Sequence, residues 1–337
     1  MAGSPARFEP PDDGGAIKTT QRDGEPNRGS RLTNEVGYLA PRHGGAPGAQ
    51  QPGVDPSFNP MVARPAYIKS HPKVLFDEAH NNADTSRGRY KPFADMIASD
   101  GYAVAPNAQR FSKEALKGYG VLVIVNAAAQ SGVSPFAENE MDAVRDWVNK
   151  GGALLLITDN APYSFAAAQL SKRFDVDISQ GYLIDSSKYN KDSEDQTELV
   201  FTREDGLLAE HPITRGRDAT EQVNRIMTFT GVSIKGPPKS VAFLKLADTA
   251  MDVQPPDRKP SSNPEDPLPE HKPVSAAGRA QGIALEFGQG RVVVLGDAAM
   301  LTAQVGSRGY RFGMNVSGVD NRQLGLNLIH WLSGLLK

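Results

Sequence analysis

The feature that most limits the fold is a series of short, uninterrupted apolar runs, each closing on polar residues and separated from the next by a segment of helical period. Val74-Leu-Phe76 runs into Asp77-Glu78-Ala-His80, Val121-Leu-Val-Ile-Val125 into Asn126, Ala153-Leu-Leu-Leu-Ile157 into Thr158-Asp159-Asn160, and Arg291-Val-Val-Val-Leu295 into Gly296-Asp297. Strands that are apolar on both sides belong inside a sheet covered by helices on both faces. The intervening segments supply those helices. Phe93, Met96 and Ile97 recur at i, i+3 and i+4 ahead of Gly101, and a strand is expected around Tyr102-Ala-Val104. Met141, Val144 and Val148 form a stripe between Ser134-Pro135 and Gly151-Gly152, and Phe165 and Leu170 follow the third run. Gly282-Ile-Ala-Leu-Glu-Phe287 and the Arg291 run flank Gly288-Gln-Gly290 and predict a hairpin. Asp320-Asn-Arg-Gln323 has capping-box spacing and opens a last helix striped by Leu324, Leu328, Trp331 and Leu335. The expected fold class is α/β: a flavodoxin-like open, mostly parallel sheet with helices on both faces.

The rest of the chain behaves differently. Residues 1–60 are crowded with Gly, Pro, Asp, Gln and Arg and hold no periodic apolar pattern able to offset the entropy of ordering them, so a disordered N-terminal arm is expected. Residues 252–273 are too rich in proline for a helix or a central strand and read as a long surface loop. Residues 180–240 read as a polar excursion. What remains, 66–337, suits one domain by length.

Composition removes several functions. With 37 Lys+Arg against 39 Asp+Glu, and no local basic run, the chain has no field to hold a phosphate backbone, so no nucleic acid partner is expected. The absence of cysteine excludes disulfides, thiolate metal centres and thiol nucleophiles, leaving oxygen and nitrogen groups for any catalysis. No apolar run approaches the roughly 18 residues of a membrane span. The first 30 residues lack the apolar stretch of an export signal, so the chain as given reads as cytoplasmic or as a processed extracytoplasmic form.

In an open parallel sheet, ligands bind outside the carboxyl ends of the strands, and four of the buried runs here end in polar groups. Asp77, Asn126, Asp159 and Asp297, far apart in sequence, therefore belong on one rim; the plainer alternative is that such residues merely cap helices and make turns. The densest patch is 77–90, with three carboxylates, an imidazole, two Asn and two Arg. It admits several readings. Asp77, His80, Asp84 and Asp159 could hold a divalent metal, although no second histidine stands at i+4 of His80. Without a metal, Asp77 or Glu78 could orient His80 as a proton carrier, with Asp77, His80 and Asp159 as the catalytic set of a hydrolase. As plain recognition, Glu78, Asn82, Arg87 or Arg89, Tyr90, Asn126, Asn160 and Asp297 would hold a small polar ligand, sugar-like or anionic. Ser164 lacks a nucleophile-elbow context, and no glycine-rich nucleotide fingerprint is present. His211-Pro-Ile-Thr-Arg-Gly-Arg217 and Thr228-Phe-Thr230 read as structural loops or as a cover over the crevice, and His330 and Trp331 read as core.

The segments Val74-Leu-Phe-Asp-Glu-Ala-His80, Gly151-Gly-Ala-Leu-Leu-Leu-Ile-Thr-Asp-Asn-Ala-Pro162, His211-Pro-Ile-Thr-Arg-Gly216, Gly290-Arg-Val-Val-Val-Leu-Gly-Asp297 and Asp320-Asn-Arg-Gln-Leu-Gly-Leu-Asn-Leu-Ile-His-Trp-Leu332 resemble an uncharacterised bacterial family of the class I glutamine amidotransferase-like superfamily. That family is akin to auxiliary subunits of gliding-motility transporters and to the amino-terminal domain of intraflagellar transport proteins. The resemblance spans 66–337 and implies the α/β fold and a place in a transport or envelope assembly; a further alternative is a purely structural interaction domain that grips a protein partner through an apolar surface patch. It implies no particular reaction. In true amidotransferases the strand ending at Ile157 would deliver a cysteine; Thr158 or Asp159 stands there, and neither replaces a thiolate, so glutamine hydrolysis is excluded. The resemblance also implies a histidine-rich site in relatives, thinned here to Asn81, Asp84 and Asn160.

Overall fold

The computed structural model describes residues 52–129, 133–256 and 271–337. The chain alternates β1 (Lys73–Asp77), α1 (Lys91–Ser99), β2 (Ala103–Asn107), β3 (Val121–Val125), α2 (Glu138–Asn149), β4 (Ala153–Ile157) and α3 (Tyr163–Ser171). After an inserted region come β5 (Asp177–Ile178), β6 (Ile234–Lys235), β7 (Val241–Lys245), β8 (Ala280–Phe287), β9 (Gly290–Leu295) and the closing helix α4 (Asn321–Leu332). These strands form one nine-stranded sheet in the order β2-β1-β3-β4-β9-β8-β6-β5, with β7 also on β8.

The five strands from β2 to β9 are mutually parallel. Their register is continuous: Val121 lies beside Val74 and Ala153, and Ile157 lies between Val125 and Leu295. Because side chains alternate across a strand, the apolar runs serve two cores at once. Phe76, Val123, Leu155 and Val293 pack with Phe93, Met96 and Ile97 of α1 and Leu324, Leu328 and Ile329 of α4. Leu75, Leu122, Leu154 and Val292 pack with Met141, Val144 and Val148 of α2 and Leu170 of α3. Strand order reverses between β1 and β3, and right-handed crossovers then place α1 and α2 on opposite faces.

The sheet, expected to be mostly parallel, is mixed. The β8–β9 hairpin, turning at Gly288-Gln289, reverses strand direction, and β6, β5 and β7 continue antiparallel beyond it. Gly288 makes that turn with a φ of 60°, and a Cβ there would lie 2.1 Å from Asn149 Oδ1. The polar excursion is also built of strands: 195–202 pairs with 189–190 and 225–227, and 182–185 with 250–254. Its apolar residues Leu199, Phe201, Ile213, Val223 and Ile226 enter the core on the α4 side, which is what orders a segment of weak local pattern. The expected loop at 252–273 has strand at both ends, Ala250–Gln254 pairing antiparallel with Lys272–Ser275, and Pro273 sits on the outer of the two; residues 257–270 lie outside the described residues. Of the arm expected over 1–60, residues 1–51 lie outside the described residues. Its last part instead adds a short strand, Gly53–Val54, to Ala303–Val305, and Asp55 is buried against Arg311 and Asn315.

Two helix starts depart from expectation. Helix α2 begins at Glu138, while Ser134 accepts the Phe136 N–H in a turn ahead of it. Asp320 does not cap α4; its carboxylate accepts the backbone N–H groups of Asn224 and Arg225 at 2.7 and 3.0 Å, tying the helix to the inserted region.

Candidate functional site

Because β1, β3, β4 and β9 run parallel and in register, their carboxyl ends carry Asp77, Asn126, Thr158-Asp159 and Gly296-Asp297 to a single edge of the sheet. The loops following them divide these groups into two networks.

The first network sits at the β1/β3 reversal, where an open sheet of this kind ordinarily leaves its crevice. His80 stands there with its ring between Phe111 and Phe136, at centroid distances of 4.4 and 4.8 Å. Its Nδ1 meets both oxygens of Asp77 at 2.9 Å and its Nε2 meets Glu140 Oε1 at 3.0 Å. Asn82 donates to Asp77 and to the Val125 carbonyl, and Asn107 also faces Asp77. Glu140 accepts the N–H of Phe111 and of Ala137, ahead of α2, and pairs with Arg110 at 2.8 Å. Burial lowers the imidazole's proton affinity, but the two carboxylates outweigh it and raise the His80 pKa; Glu140 moves down, its hydrogen bonds and partners overcoming burial. The result is a buried imidazole held between two carboxylates. His80 is 1% exposed, and both of its ring nitrogens are engaged, one by Asp77 and the other by Glu140. Glu78 is likewise committed, accepting the Ser86 N–H and hydroxyl.

The second network lies toward β4 and β9. Asn126, in the left-handed backbone region at φ 44°, donates to Asp84 Oδ2 at 2.7 Å, and the Arg89 guanidinium pairs with the other oxygen of Asp84 at 2.7 Å. Tyr90, expected to touch ligand, is fully buried and donates to the Ala298 carbonyl at 2.6 Å. Asp297 is buried beneath, one oxygen accepting the Phe229 N–H and the other that of Ala299. Burial and the neighbouring Asp159 carboxylate push the Asp297 pKa up to about 8. The outermost groups are Asp159, Asn160 and Tyr163, each half-buried, with Arg87 and Arg89 exposed.

The structure thus divides the expected site residues. Asp159, Asn160 and Arg87 reach the surface, while Asp77, His80, Tyr90, Asn126 and Asp297 lie beneath it as supports. The expected metal quartet is split, Asp77 and His80 in one network and Asp84 in the other, and among the described residues no group of three or more His, Asp or Glu is placed to hold an ion. Glu140, Arg110 and Tyr163 escaped the sequence reading. Glu140 carried a usable signal, since an acidic residue in the first turn of a helix faces free backbone N–H groups. Phe111 and Phe136 carried none, because only the tertiary fold sets them against His80.

Of the secondary candidates, Ser164 is buried and donates to Gln180 at 3.2 Å, and His330 pairs with Asp100 at 2.6 Å in the core. His211 opens the turn Pro212–Arg215, its Nδ1 accepting the Ile213 N–H, and Asn327 of α4 donates to the Ile213 carbonyl. That loop is structural, whereas Phe229 of the 228–230 segment does reach the site through its backbone. Among the described residues no helix is long and apolar enough to cross a membrane.

No family model and no curated protein matches this chain. Among solved structures, the mmIFT52 N-terminal domain superposes with a TM-score of 0.52 at 12% identity, covering 78% of this chain and 97% of that one. A ThuA-like protein from Bacteroides uniformis gives 0.36 at 13% identity, covering 79% and 93%, and a GMP synthase-like protein from Thermoplasma acidophilum gives 0.40 at 12%, covering 79% and 96%. At such identities the likeness is one of fold alone, and only the first superposition is close enough to establish it. This chain therefore shares the mixed α/β fold of the mmIFT52 N-terminal domain.

Proposed function

We propose that the chain is a binding domain without cysteine chemistry, holding a small polar ligand, sugar-like or anionic, over Asp159 at the strand-end edge. The observation that carries this reading is the layering of that edge: half-buried Asp159 and Asn160 and the exposed guanidinium of Arg89 lie outside buried Asp84, Asn126 and Asp297, and Asp84, held by Asn126, anchors Arg89. A carboxylate and an amide side by side can share a pair of hydroxyls, and an arginine anchored on one side by Asp84 presents its remaining N–H groups outward. Hydrolysis through His80 is disfavoured because both ring nitrogens are engaged. A hydrolase would have to work through Asp159 and Asp297 alone.

Thermal-shift and NMR screening of the full chain against monosaccharides and sugar acids tests this. A hit whose affinity falls about tenfold or more in Asp159→Asn, as expected for loss of a hydrogen bond to a charged group, supports it. Hits indifferent to that substitution, or no hit at millimolar ligand, would sink it.

A second reading, a domain that serves a transport or envelope assembly through a protein partner, is favoured by the closure of the β1/β3 crevice by Phe111, His80 and Phe136. It predicts that Asp159→Asn leaves assembly intact.

A further inference from the structure

The inserted region builds a site of its own. Strands 189–190, 195–202 and 225–227 form a three-stranded sheet, and above it lies a cavity of about 250 Å³ lined by Lys188, Tyr189, Lys191, Thr202, Asp205 and Arg225 among others. None of the strand-end groups contributes to it.

The charges in this cavity are unequally committed. Lys188 pairs with Asp205 at 2.5 Å, and Asp205 also accepts the Thr202 hydroxyl, so that carboxylate is fully engaged. These contacts and the nearby Arg225 charge hold the Asp205 carboxyl below its ordinary range. Lys191 stands over the Tyr189 ring, its Nζ 3.3 Å from the centroid, without a carboxylate partner among the described residues. Arg225 makes no side-chain hydrogen bond or ion pair among the described residues, although its backbone is pinned by the ladder with Thr202 and by Asp320. The remaining acid of the lining, Asp192, has its backbone N–H held by Asn190 and an exposed side chain. Among the described residues, Arg225 and Lys191 therefore form no ion pair in this cavity, which they share with Asp192 and Asp205.

The backbone beneath them is fixed. Asp185 accepts the N–H groups of Ser187 and Lys188 at 2.8 and 2.9 Å, and Val200 donates to the Lys188 carbonyl at 2.9 Å. A planar guanidinium with its donors free and an ammonium lining the same cavity match a tetrahedral oxyanion, while the Thr202 hydroxyl is spent on Asp205. The volume lies below the roughly 300–1,000 Å³ of sites for drug-sized ligands, which limits the occupant to something smaller than a nucleotide.

We infer that the cavity on the 189–190/195–202/225–227 sheet binds a small phosphate-bearing molecule, with Arg225 and Lys191 as its anion-holding residues. The site is independent of the strand-end edge.

Isothermal titration of the full chain with inorganic pyrophosphate and with orthophosphate, paired with backbone amide NMR, tests the inference. Saturable binding with shifts centred on 187–192 and 225 is expected, weakened about tenfold or more in Arg225→Gln and in Lys191→Gln. Lys117→Gln, which removes the same charge from an exposed position outside the cavity, should leave binding unchanged. Absence of binding at about 10 mM pyrophosphate, or equal weakening in Arg225→Gln and Lys117→Gln, would overturn the inference, the latter by showing net charge alone at work. Arg225→Gln removes no hydrogen bond of the fold, so the variant will be folded, which its amide spectrum checks directly.

Discussion

At the scale of single residues, the strand-end edge owes its character to two buried groups whose proton affinities are raised. His80 lies buried between Asp77 and Glu140, and removing it leaves two carboxylates facing each other without compensation. His80→Ala should therefore cost about 3–5 kcal/mol in a urea titration at neutral pH, the range for breaking a buried pair by one partner. Because the His80 pKa is raised, its pairing stabilises fully below the unfolded value and is lost as pH climbs through the folded one. Asp297 works in the opposite sense. Its carboxyl, raised from 3.8 to about 8, keeps a proton that the unfolded chain releases, so stability falls as pH rises across that window. Asp297→Asn removes the titrating group while keeping its size. The loss of stability between about pH 5 and about pH 8, followed by urea midpoints, should be visibly shallower in this variant than in the parent chain. An unchanged slope would mean that Asp297 is ionised in the folded protein.

At the scale of elements, positions forced by backbone geometry are the sensitive ones. Gly288 turns the β8–β9 hairpin in the left-handed region with Asn149 pressed against it. Gly288→Ala should destabilise by about 1–3 kcal/mol in thermal or urea unfolding, combining left-handed strain with the displacement of Asn149. At the turn 212–215, His211 acts as a neutral acceptor for the Ile213 N–H, and burial and nearby Arg215 lower its pKa to about 4. The sign is that of a depressed histidine: stability is lost as pH falls from the unfolded value of 6.5 toward 4, where the unfolded chain takes up the proton first. Asn keeps an acceptor at such a cap and does not titrate, so His211→Asn should hold its melting temperature across that interval better than the parent. Helix α4 shows why the element scale was only partly legible. Its stripe of Leu324, Leu328 and Trp331 is periodic and buried as expected, yet Asp320 at its head bonds Asn224 and Arg225 across the fold. Local spacing reveals a capping residue's capacity to accept a hydrogen bond but not which donor the fold brings to it.

At the scale of the molecule, one set of strands serves both cores, so a truncation in the middle of the sheet is felt on both faces. Leu154 and Leu155 are neighbours in β4 that face opposite cores. Leu154→Ala and Leu155→Ala should each cost about 2–5 kcal/mol, and the double variant should show coupling because the two share one backbone strand. Acid stability is likewise distributed. Asp55, tying the Gly53–Val54 strand to Arg311, and Glu221, bound by Arg217 and Arg64, both have pKa values lowered to about 2. Their contribution is present above the ordinary carboxylate range and disappears as pH falls toward 2, a loss that circular dichroism during acid titration would follow.

The amino-acid order by itself determined the central parallel strands, the helices that cover them and the hairpin at Gly288, because those depend on apolar periodicity and on one turn, both local. It also closed each of these runs on polar residues, while the continuous parallel register brings Asp77, Asn126, Asp159 and Asp297 to one edge. Only the tertiary structure decided which of these groups water can reach. Phe111 and Phe136 close over His80, Tyr90 turns inward to Ala298, and the 180–240 segment folds back to bring Phe229 onto Asp297. Burial arises from contacts between residues remote in the chain, and no spacing along the chain encodes it.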